Sequence, residues 1–447
     1  MIGLGTAQRQ AGIASFRETL LEAAREAREL GDTNRLVAAA LANNRGFFSA
    51  LGQLDAEKVD VLEAALDALP AADSPERARL LATLCSEIIY HSPLKRRLGV
   101  ADEAKAIARR LRDRATFVDV VGRCSTALAA PSTLATELAD FAEAFAAASD
   151  LDNPVTLLPA ANPGCALAVR AGQFELAGER QAMLRAMAEK LRQPSFLWQA
   201  SYSAALFALL HGDTEEAEQL ATAALEVGTA GGEPDAFAFY GVQLMQTRFE
   251  QGRMGELVSL IADSAKQNPS IPTFKAVLAA AHLDAGDEAA AQELVDEAAA
   301  DSFSLPEDGA WFDGIVCYAR VVIELQLGAH GERLIELLVP FRDQVPHNGL
   351  IPQPPVATYL GGLTIVVGRY EEAESYFEQA AGLNTRGEMK FAEAYTNMLW
   401  GRMLRSRNLP GDADRARQLL EQARESAAAR GYAGVEHQAS AELSKLF

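Results

Sequence analysis

Positive charge is what this 447-residue chain lacks most: 41 lysines and arginines stand against 61 aspartates and glutamates, a formal net charge of −20. Nucleic-acid and anionic-membrane binders need clustered positive charge, so no direct nucleic-acid contact and no membrane partner is expected. Cysteine is scarce as well. Cys85, Cys124, Cys165 and Cys317 lie 39, 41 and 152 residues apart without a C-x-x-C pair, which reads as small buried apolar residues and not as a disulfide or metal framework. The first residues carry no basic stretch leading into an apolar one. The longest apolar run, near residues 359–367, is about half of the ~20 residues that a spanning helix needs. A cytoplasmic chain is expected.

Catalytic motifs are missing too. No Gly-Lys dipeptide occurs, so the phosphate-cradling loop G-x-x-x-x-G-K-[ST] is absent and ATP hydrolysis is not expected. The six histidines form no H-E-x-x-H pair, G-x-S-x-G does not occur, and no recognition helix with basic flanks follows Ala423. The acidic pairs Glu215-Glu216 and Glu371-Glu372 read as first-turn residues held by the helix dipole, and His211 as a helix C-terminal residue. These absences predict a non-catalytic chain with no metal and no cofactor.

What is present is 49% apolar residues, enough for a core, arranged as alanine- and leucine-rich amphipathic stretches of about a dozen residues. Strand signals are nearly absent. Gly172, Gly212, Gly252, Gly286, Gly328, Gly368 and Gly411 follow one another at 40, 40, 34, 42, 40 and 43 residues, the rhythm of a helical hairpin with a tight turn. Gly212-Asp213, Gly286-Asp287 and Gly411-Asp412 place an acidic residue where it can cap the second helix. Ser74-Pro75-Glu76 is a further helix start. Short helices of this kind are marginal alone and must pack on their neighbours.

Leu360-Gly361, Gly368-Arg369-Tyr370-Glu371-Glu372-Ala373, Phe377 and Ala380 resemble the tetratricopeptide repeat in register, departing at Thr364 where that pattern has Tyr. Weaker copies lie at Gly212 and Gly286. The Gly328 copy is degenerate, with Pro340 where a small helical residue is expected. The predicted fold is therefore all-α, a right-handed superhelical solenoid of tetratricopeptide-like hairpins running continuously over residues 1–447, with a subdivision at 1–150 and 151–447 left open. Leu4-Gly5, Gly12, Leu21 and Ala24 fall at repeat positions, so the chain is expected to open inside a repeat.

Residues 4–32, Ala42-Asn43-Asn44-Arg45-Gly46-Phe47 and residues 77–82 resemble the C-terminal repeat region of large actinobacterial signal-transducing ATPases, the LuxR-type and MalT-like regulators and cyclase-ATPase-repeat proteins. That resemblance implies a sensor arm that binds an effector or partner and controls an ATPase domain supplied in cis or in trans. Periodicity by itself supports a scaffold with a protein or peptide partner, or a small-molecule effector, in the concave groove. Counting back from each turn glycine places Gln199, Tyr202, Gln243, Gln246, Tyr318 and Tyr359 on that face. Tyr395 and Arg402 follow through Gly401, and Arg45 is a further candidate. Trp198, Trp311 and Trp400 read as wedges between hairpins. The run from Lys95 to Arg114 holds eight basic and three acidic residues and reads as a solvated helix face. Two alternatives remain: a stand-alone adaptor for protein complexes, and an all-helical enzyme, which would need a closed cavity lined by His or carboxylate side chains.

Overall fold

The computed structural model describes residues 1–149 and 157–446, so the open subdivision point at residue 150 lies outside the described residues. Those residues form twenty-three α-helices, from Ile2–Gln10 to Ala433–Ser444, and no named strand; the one isolated bridge joins His347 and Pro352. No helix among them is long and apolar enough to cross a membrane.

The turn chemistry follows the glycine spacing at most repeats. Gly212 sits at φ +76° between the helices Pro194–His211 and Thr214–Ala230, a backbone conformation open to glycine at little cost. The degenerate repeat departs from this. Its left-handed residue is Gln326 at φ +54°, and Gly328 instead begins the helix Gly328–Leu338. Of the three predicted acidic caps, Asp287 acts as one, accepting from the Ala290 N–H at 3.2 Å. Asp213 makes no cap and pairs with Arg430 at 2.8 Å, while Asp412 lies within the first turn and receives Arg407 and the Leu409 N–H. Ser74 caps as expected, accepting from the Arg77 N–H with Pro75 at the first helical position.

Side-chain size explains how hairpins stack. A Cβ on Gly361 would lie 2.5 Å from the fully buried Phe377 ring, so the absent side chain lets the helices Val356–Val366 and Tyr370–Arg386 close together. Thr364 replaces the expected Tyr and satisfies its buried hydroxyl by donating to the Leu360 carbonyl. Trp198, Trp311 and Trp400 are all buried.

The solenoid also returns onto itself. Arg97 donates to the Glu307 carbonyl at 2.6 Å, Gln344 to that of Pro131 at 2.9 Å, and the Val345 N–H to that of Arg170 at 3.0 Å. Tyr432 donates to the Gly212 carbonyl at 2.6 Å, across 220 residues. Contacts at 175–220 residues' separation correspond to about five repeats of forty, so one superhelical turn rests on the next. A single apolar cluster accordingly joins Phe48, Ile89 and Val120 to Trp198, Phe239 and Ile351.

The irregular repeat supplies the interior. After the short turn Val339–Phe341, in which Pro340 ends the helical run, residues 342–355 contain no helix and fold back along the inner face. The basic run needs a correction as well. Arg97 and Lys105 are buried; Lys105 pairs with Asp140 at 2.8 Å, and Arg109 and Arg110 pair with Asp140, Glu143 and Asp73, so the run knits neighbouring repeats instead of forming one solvated face.

Candidate functional site

The inner face of the winding bounds a cavity of about 840 Å³. Five of the nine concave-face candidates line it: Arg45, Gln199, Tyr202, Gln246 and Tyr359. Gln199 and Tyr202 share the helix Pro194–His211 and the other three come from different repeats, which is how a solenoid gathers residues far apart in sequence onto one surface.

The other four lie elsewhere. Gln243 is buried behind the wall, donating through Nε2 to the Tyr202 carbonyl at 2.8 Å and the Leu350 carbonyl at 3.2 Å. Tyr318 is directed into the core, its ring 5.4 Å from that of Phe303. Tyr395 stacks on Phe391 with centroids 6.1 Å apart, and its buried hydroxyl has no partner among the described residues. Arg402 holds Glu324 at 3.2 Å and Gln438 at 2.9 Å in an ion-pair network between helices. Counting from a glycine fixes a position along a helix. It does not separate the inner face from the packed flank beside it, which is one helical position away.

One wall is aromatic. Phe47, Phe48, Tyr202 and Phe239 line the cavity there. Trp198 packs against Phe47, Tyr202 and Phe239 without lining the cavity, with centroids 4.9 to 6.3 Å apart among these four rings, and Tyr202 accepts a hydrogen bond from Asn162 Nδ2 at 2.7 Å. Arg45 braces this wall. Its guanidinium lies 4.2 Å from the Phe47 ring centre, donates to the Phe48 carbonyl, and pairs with Glu233 at 3.1 Å and with Asp235. Both carboxylates come from the turn before the helix Ala236–Glu250, so Arg45 joins the first superhelical turn to the second. Its partners in the structure are thus structural ones.

The opposite wall is polar and comes largely from the irregular segment. Asn348 donates to Asp313 Oδ2 at 2.8 Å; Gln353 donates to Gln246 Oε1 at 2.8 Å and accepts from the Tyr359 hydroxyl at 3.3 Å. Burial pushes the Asp313 carboxyl up to about 7, and its Oδ1 has no hydrogen-bond partner among the described residues. His347 accepts the Gly349 N–H on Nδ1 at 2.7 Å, which leaves Nε2 to carry the proton, without a partner. Burial, and then the charge of Arg170, hold the imidazole down at about 3, so it is neutral at physiological pH. Charge pairs complete the frame: Arg170 with Glu137 at 3.2 Å, and Lys58 with Glu87 at 2.7 Å.

Asp313 and His347, and Arg9 and Arg123, which also line the cavity, are not picked out by the sequence. The one available signal was negative: Pro340 and the Pro-rich run after it broke the repeat, and an insertion in a solenoid is where an inner face acquires new chemistry.

No protein-family model matches the chain, and no curated protein matches it. Among solved structures, it is similar at 13% identity to a chain of the APC/C hetero-tetramer Cut9-Hcn1, covering 99% of this chain and 83% of that one with a TM-score of 0.48. It is similar at 12% identity to yeast Tom70, covering 96% of each chain with a TM-score of 0.33. A circular tandem repeat protein of novel repeat topology aligns at 13% identity over 100% of this chain and 93% of its own, with a TM-score of 0.16.

Proposed function

We propose that this chain is a non-catalytic repeat scaffold that binds a small effector in its interior cavity and conveys that occupancy to a protein partner. The observation that carries this reading is the cavity itself: about 840 Å³, within the range of small-molecule sites, with an aromatic wall facing polar groups whose hydrogen bonds are unmet. Its walls belong to different superhelical turns, joined by Arg45 to Glu233 and by Val345 to Arg170. A ligand that bridges them favours one pitch of the winding, and the outer repeats display that pitch to whatever docks on them.

The resemblance of residues 4–32, 42–47 and 77–82 to the C-terminal repeat region of signal-transducing ATPases makes an ATPase domain, in cis or in trans, our choice of partner, and the cytoplasm our choice of compartment. The effector reading is tested by native mass spectrometry of the chain purified from its own cells without denaturation. One retained small molecule per chain supports it; a bare chain together with no thermal stabilisation by any member of a metabolite library contradicts it. The ATPase reading is tested by capturing partners with and without that molecule and measuring nucleotide hydrolysis, which must change with occupancy.

A second reading, an acid–base enzyme, draws on one observation. Asp308, Asp313 and His347 all line the cavity, and a carboxyl raised to about 7 has the pKa of a working acid or base. Conversion of the retained molecule by the intact chain, abolished in Asp313→Asn, favours this reading over the scaffold.

A further inference from the structure

Arg9, from the helix Ile2–Gln10, and Arg123, from the helix Arg114–Leu128, both line the cavity, near enough for their charges to repel. Arg9 donates through Nη1 to the Asn44 carbonyl at 2.6 Å; among the described residues it has no carboxylate partner, and its Nε is without a hydrogen bond. Arg123 is little better served. It holds Asp119 at 2.7 Å, and Arg79 takes the same carboxylate at 3.4 Å. Burial first, and Arg123 second, push the Arg9 guanidinium below its ordinary pKa. In a chain of net charge −20, this corner is a local reversal of sign.

A second observation points to the same place. Asn43 lines the cavity just past the helix Thr33–Ala42, is 3% exposed, and its Nδ2 has no partner among the described residues. A buried donor left unmet is costly, and a half-buried cation with too little countercharge is disfavoured as well. An anion answers both needs. The residues that follow Asn43 lead directly into the aromatic wall, where Phe47 and Phe48 lie 5.3 Å apart and Phe48 and Tyr90 5.4 Å. Arg45, between them, is already committed to Glu233 and Asp235.

We infer that the cavity takes a small organic anion, its apolar body against Phe47, Phe48 and Phe239 and its acidic group held by Arg9, Asn43 and Arg123. This inference rests on the effector-binding reading and specifies the ligand's chemistry. Charge-assisted hydrogen bonds to guanidinium groups recognise carboxylate, sulfonate and phosphate alike, and the bare ion lacks the body that the aromatic wall accommodates.

The full chain is titrated with two dyes of nearly the same ring body, the anionic 8-anilinonaphthalene-1-sulfonate and the neutral N-phenyl-1-naphthylamine, with dodecanoate and dodecanol as competitors. The expected result is one saturable site for the anionic dye, displaced by dodecanoate more strongly than by dodecanol. Arg9→Met and Arg123→Met should each weaken that site roughly tenfold or more and leave the neutral dye almost unchanged. Near-UV circular dichroism identifies a variant that has lost its fold, in which case the other carries the test, with Asn43→Leu beside it. If the charged and neutral compounds bind alike, or the arginine variants bind the anionic dye as the parent does, the anion inference is overturned while the cavity reading stands. If neither dye binds, both fall.

Discussion

Replacing Tyr432 by phenylalanine removes one oxygen from the place where one superhelical turn meets the next. That hydroxyl donates to the Gly212 carbonyl at 2.6 Å, with Tyr432 fully buried. The variant loses the bond and leaves a carbonyl unmet, a cost of about 1–3 kcal/mol. The ring stays in place, edge-on to Phe391 with centroids 5.2 Å apart, so packing is preserved. A long solenoid does not unfold in one step, which makes a global melting curve the wrong readout. Local hydrogen exchange reads the opening directly, and about 1–3 kcal/mol corresponds to roughly 5- to 150-fold faster exchange. The rise is expected on both sides of the contact: at the Gly212 and Asp213 amides, bonded to Leu209 and Ala208, and at the Tyr432 amide, bonded to Ala427. Arg430→Ala is the control. Its pair with Asp213 is 35% and 46% exposed and contributes about 0–1 kcal/mol. Faster exchange confined to the Tyr432 side would refute the reasoning, because it would mean that the two turns do not support each other.

Three further outcomes are expected. Phe377→Ala empties the space beside Gly361 and should cost the C-terminal repeats about 3–5 kcal/mol, whereas Gly361→Ala crowds that space and should cost about 1–3 kcal/mol; Trp400 fluorescence in urea follows both. Lys58→Met strands the buried Glu87 carboxylate and should destabilise the N-terminal repeats by about 3–5 kcal/mol, with most of the loss recovered in Lys58→Met/Glu87→Leu, read from urea midpoints. The third concerns pH. Burial raises the Glu250 carboxyl from its ordinary 4.5 to about 8, so between those values the folded chain holds a proton that the unfolded chain has released. Stability from this group is complete below about pH 4.5 and declines as pH rises through 8, with Asp313 adding the same trend up to about 7. Glu250→Gln should flatten that slope in denaturant titrations at stepped pH.

The hairpin fold was legible because its determinants are local. A left-handed turn at Gly212, a missing side chain at Gly361 and a large ring at Phe377 each act within one or two repeats, and their spacing survives in the primary structure. The caps were legible only where no stronger partner competed: Asp287 caps its helix, while Asp213 is drawn off by Arg430, 217 residues away. The cavity depends on contacts of that second kind. Nothing within forty residues of Arg9 marks it as facing Arg123, and nothing near His347 shows that Gly349 takes up its Nδ1. Tyr202 and Tyr359 reach the cavity because they stand at inner positions of their helices. Tyr318 shares that register but turns into the core against Phe303, a difference of helix rotation that period alone does not encode.

Winding of the solenoid back onto itself underlies everything claimed for the cavity, and it is tested most directly by placing spin labels across the junction. Paired cysteines at Asp213 and Arg430, and separately at Ser132 and Glu307, carry nitroxides at positions that touch in the structure yet lie 217 and 175 residues apart. Strong dipolar broadening of the electron paramagnetic resonance spectrum in both doubly labelled chains is the predicted result. Spectra equal to the sum of the two singly labelled chains would contradict it, and would show an open spring with no interior for a ligand to occupy.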